Sequence, residues 1–239
     1  LSLGHGEEYA MSAAVLEDSL VASTKKLTRA RQPRVLDITG GALLPEALLL
    51  PRDDPLLPQW TRFAKALAKP RGGEASAIDL HITHNSLTAE VMDILEPALA
   101  AAPLDYLMLS HNRLGREGIQ FVVRVLRANP LVRYLVLAHN QIRDRGDLLS
   151  LVRAAREHPA LEYFNLEGCG IGSKLLLPSA LPQILSLHTV NLAGNDIGSI
   201  GAAAISTCLV ADPKIKILVL DDNCFSDDDA TLFATSLKS

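Results

Sequence analysis

Aromatic residues are scarce in this chain: one Trp, four Tyr and five Phe among 239 residues. Cysteine is scarcer still. Cys169, Cys208 and Cys224 are too few and too irregularly spaced for a disulfide framework or a zinc site, so no metal is expected. Their usage points to a reducing compartment, the cytoplasm first and an organelle second. Long apolar runs are missing too. "PEALLLP" at 45–51 falls well short of the roughly 20 residues that span a bilayer, so no membrane span is expected. No signal peptide is recognisable, and the start at Leu1 rather than Met reads as a fragment or a processed product. Gly-rich phosphate loops, Gly-x-Ser-x-Gly elbows and His-Glu-x-x-His pairs are absent as well. The expectation is a chain with no catalytic residues, no cofactor and no enzymatic activity.

What the chain does have is a repeat. "DLHITHNSL" (79–87), "YLMLSHNRL" (106–114), "YLVLAHNQI" (134–142) and "TVNLAGNDI" (189–197) are variants of one phrase. Aligned on an anchor, six units emerge at Asn85, Asn112, Asn140, Cys169, Asn195 and Asn223, spaced by 27, 28, 29, 26 and 28 residues. The positions five and three before the anchor, and two after it, are apolar in every unit. The alternation before the anchor predicts a short strand with one buried face. Helical spacing follows over 115–130, 145–159 and 200–213, each stretch closing on a Pro that cannot continue a helix. The anchor amide both donates and accepts, which suits a turn whose buried backbone groups need partners; Cys169 is a small substitute with a weak donor.

This Leu-x-x-Leu-x-Leu-x-x-Asn/Cys-x-Leu pattern resembles the leucine-rich repeat. Its long period resembles the ribonuclease-inhibitor-like class, shared by Ran GTPase activators, tropomodulins and NOD-like receptors. The resemblance implies an α/β solenoid, a horseshoe with a concave parallel β-sheet and convex α-helices. Residues 1–32 are expected to form an N-terminal helical cap, with the helix over 6–24. Residues 33–76 read as a degenerate first repeat with a Pro/Leu-rich insert at 43–58 and a helix at 59–68 carrying Trp60, Phe63 and Leu67 on one face. Residues 77–239 hold the six repeats and end in a helix over 227–238.

In such a fold the solvent-facing strand residues lie six and four before the anchor. Tyr106, Tyr134 and Tyr163 share the first slot with Asp79. His81, Met108, Val136 and Asn165 hold the second. These eight are the candidate partner-binding residues, because Tyr and Met are enriched at interface cores. His84, His111 and His139 form a rim ladder just before the anchors, where parallel projection does not favour a metal. The basic stretch 23–34, with Lys25, Lys26, Arg29, Arg31 and Arg34, is a candidate for anion or RNA contacts. Nine Arg against three acids over 113–156, and four Lys against nine acids over 160–239, make the molecule electrically polar along its length. The expected function is a scaffold that binds a protein partner on its concave face. RNA is the weaker partner, a sensor domain of the NOD-like-receptor type with a nucleic-acid or peptide ligand the alternative, and a GTPase-activating protein the weakest reading. The Arg-Gly-Asp at 145–147 reads as coincidence.

Overall fold

A computed structural model of the chain describes residues 5–27, 35–40, 56–69, 77–172, 181–211 and 214–237, with side chains from residue 14 onward. Strands and helices alternate along it. The strands are β1 (Val35–Thr39), β2 (Ile78–Thr83), β3 (Leu104–Met108), β4 (Tyr134–Val136), β5 (Tyr163–Asn165), β6 (Thr189–Asn191) and β7 (Ile217–Val219). The helices are α1 (His5–Leu27), α2 (Leu57–Leu67), α3 (Ala89–Ala101), α4 (Gly115–Ala128), α5 (Arg145–Glu157), α6 (Leu181–Ile184), α7 (Ser199–Val210) and α8 (Asp227–Ser236). All seven strands pair in parallel, each with its neighbours in sequence, in the order β1 to β7. Consecutive helices pack in the same order, the sign of a solenoid in which each unit touches only the next.

The apolar slots explain this arrangement. Leu80, Leu107, Leu135, Phe164 and Val190 are fully buried, as are Ile82, Leu109, Leu137, Leu166 and Leu192 three before their anchors. Against them pack helix residues such as Leu95, Phe121, Val122, Leu148 and Leu151. Although the four later strands span three residues each, the ladder runs on: the amides of Leu137 and His139 donate to Asn165 O and Glu167 O, and those of Leu166 and Gly168 to Asn191 O and Ala193 O.

The anchors do not bond to one another's side chains. From Asn112 onward each Asn Oδ1 takes amides from the unit before it, and each Nδ2 gives to carbonyls, whereas the Asn85 side chain only donates, to Ile38 O, and its Oδ1 has no partner among the described residues. Asn140 accepts from Asn112 N (3.0 Å) and Leu114 N (3.3 Å), and donates to Leu109 O (2.7 Å) and Leu137 O (2.9 Å). Asn112, Asn195 and Asn223 repeat the scheme. Cys169 keeps one part of it, its thiol donating to Leu137 O at 3.3 Å.

The two ends of the sheet differ. At β1, α1 supplies hydroxyls to the open strand edge: Ser19 and Ser23 donate to Asp37 O, each at 3.0 Å, and Thr39 N donates to Ser19 Oγ. In the first unit Trp60, Phe63 and Leu67 bury on one face of α2, as their spacing predicts. At β7, Leu218, Leu220, Phe225 and Phe233 are only half-buried and Ile217 is 56% exposed, although α8 is well capped by Ser226 and Asp229. Residues 28–34, 41–55 and 173–180 lie outside the described residues, and with them most of the Pro/Leu-rich insert.

Because Asn140 satisfies four buried backbone groups, Asn140→Ala is expected to destabilise by about 3 kcal/mol or more, at about 1–3 kcal/mol per orphaned group. Asn140→Cys, which restores one bond, should cost less. Urea unfolding of the three proteins checks the order.

Candidate functional site

The face of the sheet turned away from the helices is laid out in rows, because parallel pairing in register puts equivalent slots of successive units side by side. Tyr106 pairs with Tyr134, and Tyr134 with Tyr163. Their ring centroids stand 6.0 and 6.4 Å apart, and His81 extends the row, its ring 5.2 Å from that of Tyr106. All four side chains are half-buried, a continuous aromatic ridge across four strands. The Tyr106 phenol is held above its usual range, first by burial and then by Tyr163 and Asp79, so it stays a neutral hydroxyl.

Beside the ridge, Arg133 places its guanidinium 5.2 Å from the centre of the Tyr134 ring. The same group binds Glu162 with two bonds of 3.1 and 2.8 Å and lies 3.6 Å from Asp105. Sequence reading missed this cluster. Asp105 lies where the register between β2 and β3 slips by one, and strict alternation does not announce such a slip.

The second row needs a correction. Met108 is half-buried and accessible, but Val136 is 4% exposed and Asn165 7%, so neither offers a contact surface of its own. Both are short side chains between taller neighbours, and Asn165 is engaged, donating to Tyr163 OH at 3.2 Å and accepting from Glu167 N at 2.7 Å. They form floor rather than ridge.

The rim ladder has a backbone cause. His84, His111 and His139 have φ of 60, 58 and 56°, and the same slot in the next units holds Gly168 (61°), Gly194 (61°) and Asp222 (53°). Each unit from β2 to β7 turns out of its strand through a left-handed residue, and Gly, Asp and His tolerate that conformation better than most. The three imidazoles stack face to face at 4.3 Å each, which sets their nitrogens side by side rather than converging on a point. The stack ends on Gly168, where a Cβ would stand 2.4 Å from His139 Nδ1.

Other candidates are spent elsewhere. Burial pushes the Cys169 thiol up to about 12, far from a nucleophile's range. The Asp147 of the Arg-Gly-Asp is 5% exposed and accepts from Gln120, so the tripeptide is not presented. A cleft of about 610 Å³ opens at the turns between Arg113, Arg116, Arg143, Asp144 and Asp147, with Asp144 already capping α5. Lys25 and Lys26 lie exposed in the last turn of α1, whereas Arg29, Arg31 and Arg34 lie outside the described residues. Among the described residues, no helix is long and apolar enough to cross a membrane.

Known proteins repeat this pattern. The family pattern described as "Leucine Rich repeat" matches residues 128–146 and 184–206. The leucine-rich-repeat protein LegL7 of Legionella pneumophila superposes with a TM-score of 0.57 at 21% identity, over 76% of this chain and 58% of that one. The chain folds as a leucine-rich-repeat solenoid. Among curated proteins it is 29% identical over 140 residues to a Tonsoku-like protein of Danio rerio, and 27% identical over 124 residues to NACHT, LRR and PYD domains-containing protein 4B of Mus musculus. These matches cover 54% and 48% of this chain but 10% and 14% of the relatives, so the chain spans a small part of their length.

The leucine-rich-repeat frame also carries a second ladder that sequence reading passed over, at the turns entering the strands. Asn129, 1% exposed, donates to Leu99 O (2.6 Å) and Ala102 O (2.9 Å) of the previous unit. His158 takes the Ala160 amide on Nδ1 (3.2 Å), so its Nε2 carries the proton and donates to Asn129 O (2.8 Å). The signal was there: each of these polar residues immediately precedes the Pro that closes a helix.

Two imidazoles therefore resist protonation. His158 is lowered from 6.5 by burial, against the pull of its bond to Asn129; His111 is lowered first by burial, then by His139 and His84, with Glu167 pulling the other way. Both hold fewer protons folded than unfolded, so stability is full above 6.5 and is lost as pH falls from there toward the lower folded-state values. Unfolding midpoints should drop between about pH 7 and about pH 5. His111→Asn, which tolerates the left-handed turn, should flatten the dependence.

Proposed function

We propose that this protein is a non-catalytic interaction module that binds a protein partner on the concave face of its sheet, with Tyr106, Tyr134 and Tyr163 as anchors. Leucine-rich repeats generally serve as protein-interaction modules, and that general role is the starting point. The observation that carries the finer reading is the aromatic ridge. Four Tyr occur in the whole chain, and three of them stand in register on adjacent strands with ring separations of 6.0 and 6.4 Å.

Tyr offers a large contact area at low conformational cost, which is why it concentrates at interface centres. Isolated surface aromatics need no explanation, but a ridge spanning four strands does. Met108 and His81 extend it, and Asp79 stands at its first end.

The test is capture from a cytoplasmic extract with the wild-type chain and with Tyr106→Ala/Tyr134→Ala/Tyr163→Ala, identifying both bound protein and bound RNA. Wild type is expected to retain a protein that the triple variant loses, each anchor being worth about 2 kcal/mol. Identical captures would remove the ridge from the interface. Unfolding curves of both proteins guard against a folding defect.

A further inference from the structure

The rows of the open face differ from the rest of the molecule in charge. Strand register and the continuing backbone ladder define four rows, at six, four, two and one residues before the anchor, running from β1 to β7. These rows hold Asp37, Asp79, Glu167, Asp221 and Asp222 and not one Lys or Arg. The cations of the same repeats stand off these rows, Arg133 and Lys216 bordering them one place outside, seven before their anchors. Arg113, Arg116 and Arg143 line the turns, while Arg124 and Arg153 lie on the helices in pairs with Glu96 and Glu157. Sorting of charge to this degree is a property of the face, not of the composition.

Two local observations say what such a face accepts. The first is Arg133, a cation seated at 5.2 Å over the Tyr134 ring and held there by Glu162 and Asp105. It demonstrates on the spot that a guanidinium fits between this ridge and a carboxylate. Tyr106 and Tyr163 present the same rings; Asp79 stands in the slot paired with Tyr106, and Glu167 stands two rows along from Tyr163, 3.8 Å from His139 and accepting from Asn191. The second is Ser110, 6% exposed on the floor row, whose hydroxyl has no hydrogen-bond partner. A buried hydroxyl without a partner is costly and points to an occupant that supplies one, such as a peptide backbone.

Resting on the reading of this face as a protein-binding surface, we infer that its occupant is a basic polypeptide segment. Its Lys or Arg side chains lie over the Tyr106–Tyr163 ridge and between Asp79, Glu167 and Asp221, and its backbone reaches Ser110. A polyanion is disfavoured on the same ground, because every fixed charge on these rows would repel it.

The test uses the full chain and fluorescently labelled peptides of alternating Lys-Ala, Arg-Ala and Glu-Ala, with a single-stranded oligouridylate alongside. The basic peptides are expected to bind about tenfold tighter than the acidic one or the RNA. Asp79→Asn/Glu167→Gln/Asp221→Asn should lose about tenfold in affinity, and Ser110→Ala roughly fivefold. Equal binding of the acidic peptide or the RNA, or an unchanged affinity in the neutralised variant, overturns the basic occupant. The same neutralised variant in the extract capture separates the two ideas. A protein lost with the three tyrosines but kept by the neutralised chain leaves the interaction surface standing and removes its basic partner. A protein kept by both removes the surface as well.

Discussion

One side-chain amide per unit holds this molecule in register. After β2 to β7 the backbone leaves the sheet through a left-handed residue, and the anchor's amide and the carbonyl three residues before it are left without a strand partner. Asn112, Asn140, Asn195 and Asn223 close the gap, taking amides from the preceding unit and giving to carbonyls on both sides. Each anchor thus fixes the position of its own turn and of the one before. Once the turns are fixed, the strands must stack in register, equivalent slots must line up, and the apolar positions must meet the helices. The aromatic ridge and the imidazole stack are consequences of that alignment.

Much of this was legible in the sequence because its rules are local and periodic. The anchors, the buried slots on either side of them and the helices after them follow from spacing alone. The tyrosine row was legible for the same reason, since three of four tyrosines share one slot. What escaped reading depends on one-off geometry. The slip at Asp105, which brings Arg133 into contact with two acids and a ring, breaks the very alternation that makes strands readable. The serines that close the β1 edge are ordinary helix residues until α1 is laid against the sheet. Val136 follows the rule for an outward slot yet is covered, because the accessibility of a short side chain depends on its neighbours' height.

The division of labour in the structure is clear. The turns carry left-handed residues and polar ladders, and they set the geometry. The helices and turns carry the arginines, Arg124 and Arg153 in ion pairs with Glu96 and Glu157, and the cysteines are buried, half-buried or displaced to a turn. The open face of the sheet combines rings, short floor residues and acids, and no fixed cation on its rows. A surface of that kind offers van der Waals area at its centre and long-range guidance at its edges, a combination that favours selectivity and fast encounter.

The most direct measurement is site-specific photo-crosslinking with p-benzoylphenylalanine, placed in turn at Tyr134 on the ridge and at Arg153 on α5, after ultraviolet exposure in extract. The account predicts a covalent protein adduct from position 134 and none from position 153. An adduct from 153 alone would place the partner on the helices and contradict it.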